Sequence, residues 1–210
     1  MPESLRACFR EPIPEIFDAA RYLDEAVSAH LVNRREKAQS LLAAADMRAI
    51  RMWTESIWGK GHPFAQPVTL QKNRPVLPKD RRVKVRMPNA KEKRALHTRD
   101  GYHCRFCGIP VVRKEIRIAL HRFYPTVVTW GRRNAEQHAA FQAMWLQYDH
   151  VIPHARGGDN ELGNVIITCA PCNFGRSDHL VEEVGLFDPR SREPIKSEWD
   201  GLERMLSKKR

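Results

Sequence analysis

The sequence predicts an α+β protein in which a small β-hairpin and helix unit follows an N-terminal helical extension. Apolar residues recur at helical spacing between residues 14 and 57. Two later runs are rich in aromatic and branched residues, as strands are. Two Cys-x-x-Cys pairs lie on either side of these runs. The chain of 210 residues is long enough to bury one ordinary core and a small additional module.

The N-terminal region is expected to be helical from residue 14 to about residue 57, with an interruption at Asn33. Two apolar stripes support this: Ile16, Ala20, Leu23, Val27 and Leu31, then Leu42, Ala45, Ala49, Trp53 and Ile57. Such stripes usually belong to a core, so we expect them to pack within the chain, against Trp130, Trp145 and the segment around them. Docking of residues 1–58 to a partner protein is the alternative.

A basic arm follows, in which five prolines between residues 63 and 88 exclude a continuous helix. Residues 60–99 carry twelve Lys and Arg against two Asp and Glu, so they hold most of the net charge of +11. Basic and apolar residues alternate from residue 81 to residue 86, as in an extended segment with one charged face. We expect the arm to bind nucleic-acid phosphates. The predicted contacts are Arg81, Arg82, Lys84 and Arg86. A soluble basic linker without this function is the alternative.

The middle of the chain is predicted to alternate between helices and short extended segments. Asn89 is expected to cap a helix that runs to about Arg99 and ends at Asp100-Gly101. Residues 111–145 are treated as an insertion. Its predicted elements are a helix over 111–123, a strand over 127–130 and a helix over 134–144, with Asn134 as the cap. A last amphipathic helix is predicted over 199–206.

The hairpin is predicted from two strands, over 145–152 and 162–168, joined by a glycine-containing turn over 156–160. A helix is expected to begin at Cys172. Asp149 and His150 lie near the end of the first strand. Neighbouring strand residues point to opposite faces, so these two can share a site only if the strand ends there, which Pro153 favours.

Several of these residues together resemble the HNH endonucleases. They are Asp149, His150, Gly157, Gly158, Asn164 and the run from Cys169 to Asn173, with Cys104 and Cys107 ahead of them. The resemblance covers about residues 90–185 and implies a ββα-metal module stapled by a four-cysteine zinc. The predicted domains are therefore a helical extension (1–58), the basic arm (59–89), the nuclease module (90–185, with the 111–145 insertion) and a C-terminal tail (186–210).

The four cysteines are the ligand set of a closed, tetrahedral structural zinc site: Cys104, Cys107, Cys169 and Cys172. Disulfide bonds and a redox role of the Cys-x-x-Cys pairs are the alternatives. Reduced thiols in the cytoplasm make disulfide bonds less favoured. His103 and His179 are left outside the predicted ligand set.

The catalytic prediction combines residue chemistry with the resemblance. His150 can accept a proton from water near neutral pH, and Asp149 offers a hard oxygen ligand to a divalent cation. The resemblance implies that Asn164 fixes the loop between the strands and that Asn173 is the second ligand of the cation, which makes an H-N-N variant. Arg176, three residues further along the helix, is expected to hold the scissile phosphate.

We therefore predict a metal-dependent DNA endonuclease with a structural Zn²⁺ and a catalytic Mg²⁺ or Mn²⁺. A non-catalytic zinc module that binds nucleic acid and an RNA-cleaving enzyme are the alternatives. No run of about 18 apolar residues predicts a membrane span, and no apolar signal region begins the sequence, so a cytoplasmic location is expected.

Overall fold

A computed structural model describes residues 5–58, 75–85 and 87–207 of the protein. The α-helices are α1 Pro14–Leu31, α2 Arg35–Ala44, α3 Arg48–Trp58, α4 Ala90–Asp100, α5 Lys114–Phe123, α6 Ala139–Ala143 and α7 Ala170–Arg176. The strands are β1 Leu146–His150 and β2 Val165–Cys169. The fold is therefore the predicted α+β combination of helices with a small sheet.

The sheet is an antiparallel pair that leads directly into a helix. β1 and β2 pair in a register that sets Leu146 opposite Cys169 and His150 opposite Val165. The helix α7 begins at Ala170 rather than at Cys172, because Pro171 fits the first helical turn, where no backbone donor is needed. The predicted hairpin and helix are confirmed, with strands a few residues shorter than expected.

The N-terminal region is helical, as the apolar stripes predict, but it forms three helices where one interruption was expected. Asn33 adopts a left-handed backbone conformation (φ 61°) and separates α1 from α2, and a second break precedes Arg48. Most stripe residues of α1 and α3 are buried, with Leu31 and Ala49 only partly so, and α3 packs against α6 and α7. One continuous hydrophobic core includes all of these helices and the hairpin. Packing within the chain is thereby confirmed, although the face that receives α3 is mainly α6 and α7.

The helix α4 begins and ends where the sequence predicts. The Asn89 side chain accepts hydrogen bonds from the backbone N–H groups of Lys91 and Glu92, and the Glu92 carboxylate accepts one from the Asn89 backbone N–H. Gly101 follows the helix with φ 65°, a conformation that favours glycine. The helix therefore holds a fixed position immediately before the first cysteine pair.

The 111–145 segment differs from its prediction in three places. Val112 is extended and exchanges backbone hydrogen bonds with residues 144 and 146, so α5 starts only at Lys114. The predicted strand over 127–130 is wrong, since that stretch contributes only an isolated bridge from Trp130 to Gln137. The predicted helix over 134–144 is divided into a 3-10 turn (Asn134–Glu136) and α6, because the His138 backbone N–H binds the Thr129 carbonyl instead of a helical partner.

The predicted C-terminal helix is also wrong. Residues 199–206 contain only a 3-10 turn, because Gly201 and Leu202 both adopt left-handed conformations. The segment is nevertheless fixed, since the Trp199 indole donates to the Val111 carbonyl at 3.1 Å and Arg204 forms an ion pair with Asp24 of α1. The division of the chain into the four predicted domains stays a prediction.

Among the residues described, no helix combines the length and the apolar character that crossing a bilayer requires.

Candidate active site and metal centre

The four predicted cysteines converge on one point between the first Cys-x-x-Cys turn and the ββα unit. Their sulfur atoms all lie within 4.8 Å of one another, and the Cys107 and Cys169 sulfurs are 3.6 Å apart. A tetrahedron with Zn–S bonds of about 2.3 Å sets sulfurs about 3.8 Å apart, so the cluster fits zinc. All four are free thiols rather than disulfides. Because Cys169 ends β2 and Cys172 lies in the first turn of α7, a zinc ion here would fix the hairpin and helix to the first turn.

His103 lies outside this cluster, as predicted, because both its ring nitrogens are used elsewhere. They contact the Gly108 carbonyl at 3.0 Å and the Ser197 hydroxyl at 2.7 Å. His179 is likewise absent from the cluster and contacts the Arg176 carbonyl.

A cleft with a volume of about 780 Å³ lies between the hairpin, α7 and the basic arm. Its walls combine the end of β1, the C-terminal half of α7 with the two residues that follow Arg176, and the basic arm. The site residues among its lining are Asp149, His150, Asn173, Arg82 and Lys84, together with Lys79, His154 and Phe174. β1 ends at His150, so the two neighbouring residues of the predicted pair do line one cleft.

Asp149 is a buried carboxylate, and one of its two oxygens lacks a hydrogen-bond partner among the described residues. Its Oδ1 accepts a hydrogen bond of 2.6 Å from Arg176, whereas its Oδ2 is buried and has no hydrogen-bond partner among the described residues. Burial raises the pKa of Asp149, and the neighbouring Arg176 guanidinium only partly opposes this. A buried anionic oxygen without a partner is costly, so Oδ2 fits a cation ligand.

Arg176 does not occupy the place that a phosphate clamp requires. The side chain is fully buried, and it donates to Asp149 and to the carbonyl oxygens of His150 and His179, each at 2.6 Å. The guanidinium therefore points into the protein and holds the end of β1 against α7. The geometry favours a positioning role for Arg176 over the predicted role in phosphate binding.

His150 is held by a residue that the sequence analysis missed. Its Nε2 lies 2.8 Å from the Oδ1 of Asn160, ten residues further along the chain. An amide oxygen only accepts hydrogen bonds, so Nε2 carries the proton and Nδ1 retains its lone pair. The sequence contains no signal for this contact, because a polar residue in a turn is ordinary.

The two predicted asparagines have different surroundings. Asn164 binds both backbone groups of Ile152 and the carbonyl of Asp159, so it closes the hairpin loop and does not line the cleft. Asn173 lines the cleft, and its side chain makes no hydrogen bond within the described part of the chain. Its amide oxygen is therefore available in the cleft that Asp149 also lines.

The described part of the arm docks on the hairpin loop. The Leu77 backbone N–H donates to the Ala155 carbonyl at 2.8 Å, and the His154 ring contacts the Val83 carbonyl at 2.7 Å. Of the predicted phosphate contacts, Arg82 and Lys84 line the cleft, Arg81 is exposed outside it, and Arg86 lies outside the described residues.

A two-stranded hairpin and a helix that present a carboxylate, an imidazole and an amide to one cleft define a ββα-metal type of site. In agreement, residues 135–179 match the family model of the HNH endonucleases. This range contains the hairpin and α7, and it excludes the N-terminal helices and the first cysteine pair. The resemblance seen in the sequence is thereby confirmed for this part of the chain. No significant match was found among curated proteins or among solved structures.

Proposed function

We propose that this protein is a metal-dependent endonuclease that hydrolyses phosphodiester bonds of DNA. The observation that carries the proposal is a single cleft lined by Asp149, His150 and Asn173, in which Asp149 keeps a buried oxygen without a hydrogen-bond partner among the described residues. A module that only binds nucleic acid needs neither a desolvated carboxylate nor an imidazole with an open nitrogen. The match to the HNH endonucleases supports the same conclusion.

His150 is the proposed general base. Because the Nε2–H group donates to the Asn160 oxygen, Nδ1 can take the proton of a water molecule as the water oxygen attacks phosphorus. The bond from phosphorus to the 3′ oxygen then breaks, and the leaving oxygen takes a proton from solvent. The products carry 5′-phosphate and 3′-hydroxyl ends.

The proposed ligands of the catalytic cation are Asp149 and Asn173, which offer a carboxylate and an amide oxygen. Both are hard donors of the kind that Mg²⁺ and Mn²⁺ bind. Such a cation supplies Lewis-acid stabilisation of charge on the phosphate. The Arg176 side chain orients Asp149 for this purpose from the protein interior, and its charge favours the ionised form of the carboxylate.

The basic arm is the proposed phosphate-binding surface. Arg82, Lys84 and Lys79 line the same cleft as His150, where they outnumber the arm's one carboxylate, Asp80, and a bound phosphate backbone would neutralise their charge. Arg81 and Arg86 are proposed to extend this surface. Most residues of the apolar stripes of the N-terminal helices are buried, and we therefore do not propose the stripes as a docking surface for a partner protein.

The four-cysteine site is proposed to hold one zinc ion per chain with a structural role, since all four ligands come from the protein. Metal analysis of the purified protein should give one zinc per chain, and Cys172→Ser should lower both the zinc content and the thermal midpoint. Folded protein without zinc, at an unchanged midpoint, would contradict the assignment.

Cleavage of several substrates tests the proposed function. Supercoiled plasmid, linear duplex DNA and structured RNA are incubated with the protein, with Mg²⁺ or Mn²⁺ present or omitted. We expect both DNA substrates to be cut only when the cation is added. Cleavage of RNA alone would replace DNA as the substrate, and binding without any cleavage would favour the non-catalytic alternative.

A further inference from the structure

One amide side chain connects the proposed general base to the basic arm. Asn160 lies on the loop between the strands, and its Oδ1 accepts from His150 Nε2 at 2.8 Å. Its Nδ2 donates to the backbone carbonyl of Val85 in the arm. The two functional groups of Asn160 therefore serve two different parts of the proposed site.

The two contacts fix each other's direction. The Val85 carbonyl can only accept a hydrogen bond, so the amide must direct its NH₂ group toward the arm and its oxygen toward His150. The oxygen in turn can only accept, so it selects the imidazole tautomer with the proton on Nε2. Placement of the arm thus determines which imidazole nitrogen is basic.

Asn160 is not needed to close the hairpin loop, which other contacts already do. Asn164 binds the backbone of Ile152 and Asp159, and the Asp159 carboxylate accepts from the Glu161 backbone. A role limited to the turn would not explain why the Asn160 side chain contacts both His150 and Val85. They span ten and seventy-five residues of sequence.

The arm segment is attached to the same loop at further points. The Leu77 backbone donates to Ala155, and the His154 ring contacts the Val83 carbonyl. Arg82 and Lys84 flank Val83 in the sequence, and both line the cleft. A phosphate bound by these cations would therefore hold the arm in the position that Asn160 requires.

We infer that Asn160 is the positioning residue of His150, and that docking of the basic arm on the hairpin loop sets its orientation. The inference rests on the proposed nuclease function. It implies that the arm contributes to the chemical step as well as to affinity, because an undocked arm leaves the imidazole free to rotate and to change tautomer.

Two variants of Asn160 separate its two contacts, and one distant asparagine serves as a control. Asn160→Ala removes both contacts, whereas Asn160→Asp keeps an oxygen for His150 and loses the donor to Val85. Asn134→Ala removes an exposed asparagine side chain from a 3-10 turn outside the cleft. All three variants are made in the full chain with zinc retained.

Three measurements are compared with the wild-type protein. Steady-state cleavage gives kcat and KM separately, and ¹⁵N NMR of the neutral imidazole reports its tautomer. Mass spectrometry after brief trypsin treatment gives the cleavage rates after Arg82 and Lys84, which report whether the arm is docked.

For Asn160→Ala we expect kcat to fall about ten- to a hundredfold while KM changes little. The His150 imidazole would be misplaced, whereas the groups that bind the substrate would be unchanged. The imidazole should become a mixture of tautomers, and trypsin should cut the arm faster. Asn160→Asp should keep the Nε2-protonated tautomer but share the faster trypsin cleavage, and Asn134→Ala should match the wild type.

The inference is overturned if Asn160→Ala keeps both the wild-type tautomer and the wild-type kcat, or if its defect lies in KM alone. An unchanged trypsin rate in both Asn160 variants would overturn the link to the arm. If the wild-type protein cleaves no substrate, the nuclease proposal fails. The NMR and trypsin results then still test Asn160.

Discussion

Arg176 and Asp149 form an ion pair that is almost wholly removed from water. The two side chains are 0 % and 6 % exposed, and the distance between Nη2 and Oδ1 is 2.6 Å. Removing one partner of such a pair leaves a buried charge without compensation, which costs more free energy than the intact pair contributes. The guanidinium is therefore a structural requirement of the carboxylate beside it.

The first prediction concerns this pair. Arg176→Met should lower the free energy of unfolding by about 3–5 kcal/mol, because the Asp149 carboxylate loses its buried counter-charge. Urea unfolding measures the effect, and Arg122→Met, which changes an exposed arginine, should be nearly neutral. An Arg176→Met protein of normal stability that binds DNA weakly would instead restore the phosphate-clamp role.

Residue identities were easier to predict than side-chain directions. Asp149, His150 and Asn173 do line one cleft, as the resemblance to the HNH endonucleases implied. The direction of Arg176 was not predictable, because it depends on how closely α7 packs against the end of β1. Asn160 was missed for a related reason, since its two contacts depend on the loop and the arm meeting in space.

At the scale of elements, the loop between β1 and β2 is shaped by close backbone approach. Gly157 adopts φ 97°, and Gly158 is buried against the Ile152 carbonyl and the Asn164 side chain. A Cβ atom on Gly158 would lie 1.7 Å from that carbonyl oxygen, a distance no side chain can occupy. The loop therefore holds its shape only with glycine at this position.

The second prediction compares two glycines of this loop. Gly158→Ala should destabilise the protein strongly and reduce cleavage, because the loop must open to admit the methyl group. Gly163→Ala is the matched control, since a Cβ there would meet no atom within 4 Å. Thermal unfolding of both variants measures the difference. Equal midpoints would show that the loop is not closed in this way.

The hairpin was predictable because its strands are rich in branched and aromatic residues and its turn contains glycine. The helix predicted over 134–144 was not, since tertiary contacts override its local preference. His138 interrupts it: the ring binds the Leu42 carbonyl, and the backbone N–H binds Thr129. Sequence periodicity alone does not contain these partners.

At the scale of the whole molecule, His138 lies where the N-terminal helices meet the segment before β1. The side chain is fully buried, and its Nε2–H donates to the Leu42 carbonyl of α2 at 2.9 Å. Burial lowers the pKa of His138 below its ordinary value, so the folded protein holds a neutral imidazole.

The third prediction follows from the sign of this shift. Unfolded chains take up a proton on this histidine below about pH 6.5, whereas the folded protein resists protonation. The stability that His138 contributes is therefore complete above that pH and declines as the pH falls through it. His138→Gln keeps an N–H donor but does not titrate, so wild type should lose stability relative to this variant on acidification. Urea midpoints measured across that range check this. A constant difference would contradict the burial of His138.

The docking of the arm is a property of the whole molecule that the sequence could not supply. The alternation of basic and apolar residues over 81–86 predicted a basic surface, and two cations of this stretch line the cleft. The contacts that place the arm there join backbone groups of Leu77, Val83 and Val85 to the hairpin loop. Backbone groups carry no residue-specific signal, so only the folded structure reveals them.

The most direct test of the account compares plasmid nicking by the wild-type protein and by His150→Ala, purified in parallel and supplied with Mg²⁺. We predict that the wild type cuts supercoiled plasmid and that His150→Ala is slower by about two or more orders of magnitude, with DNA affinity and zinc content unchanged. Wild-type turnover by His150→Ala would contradict the assignment of this residue as the general base, and with it the proposed site.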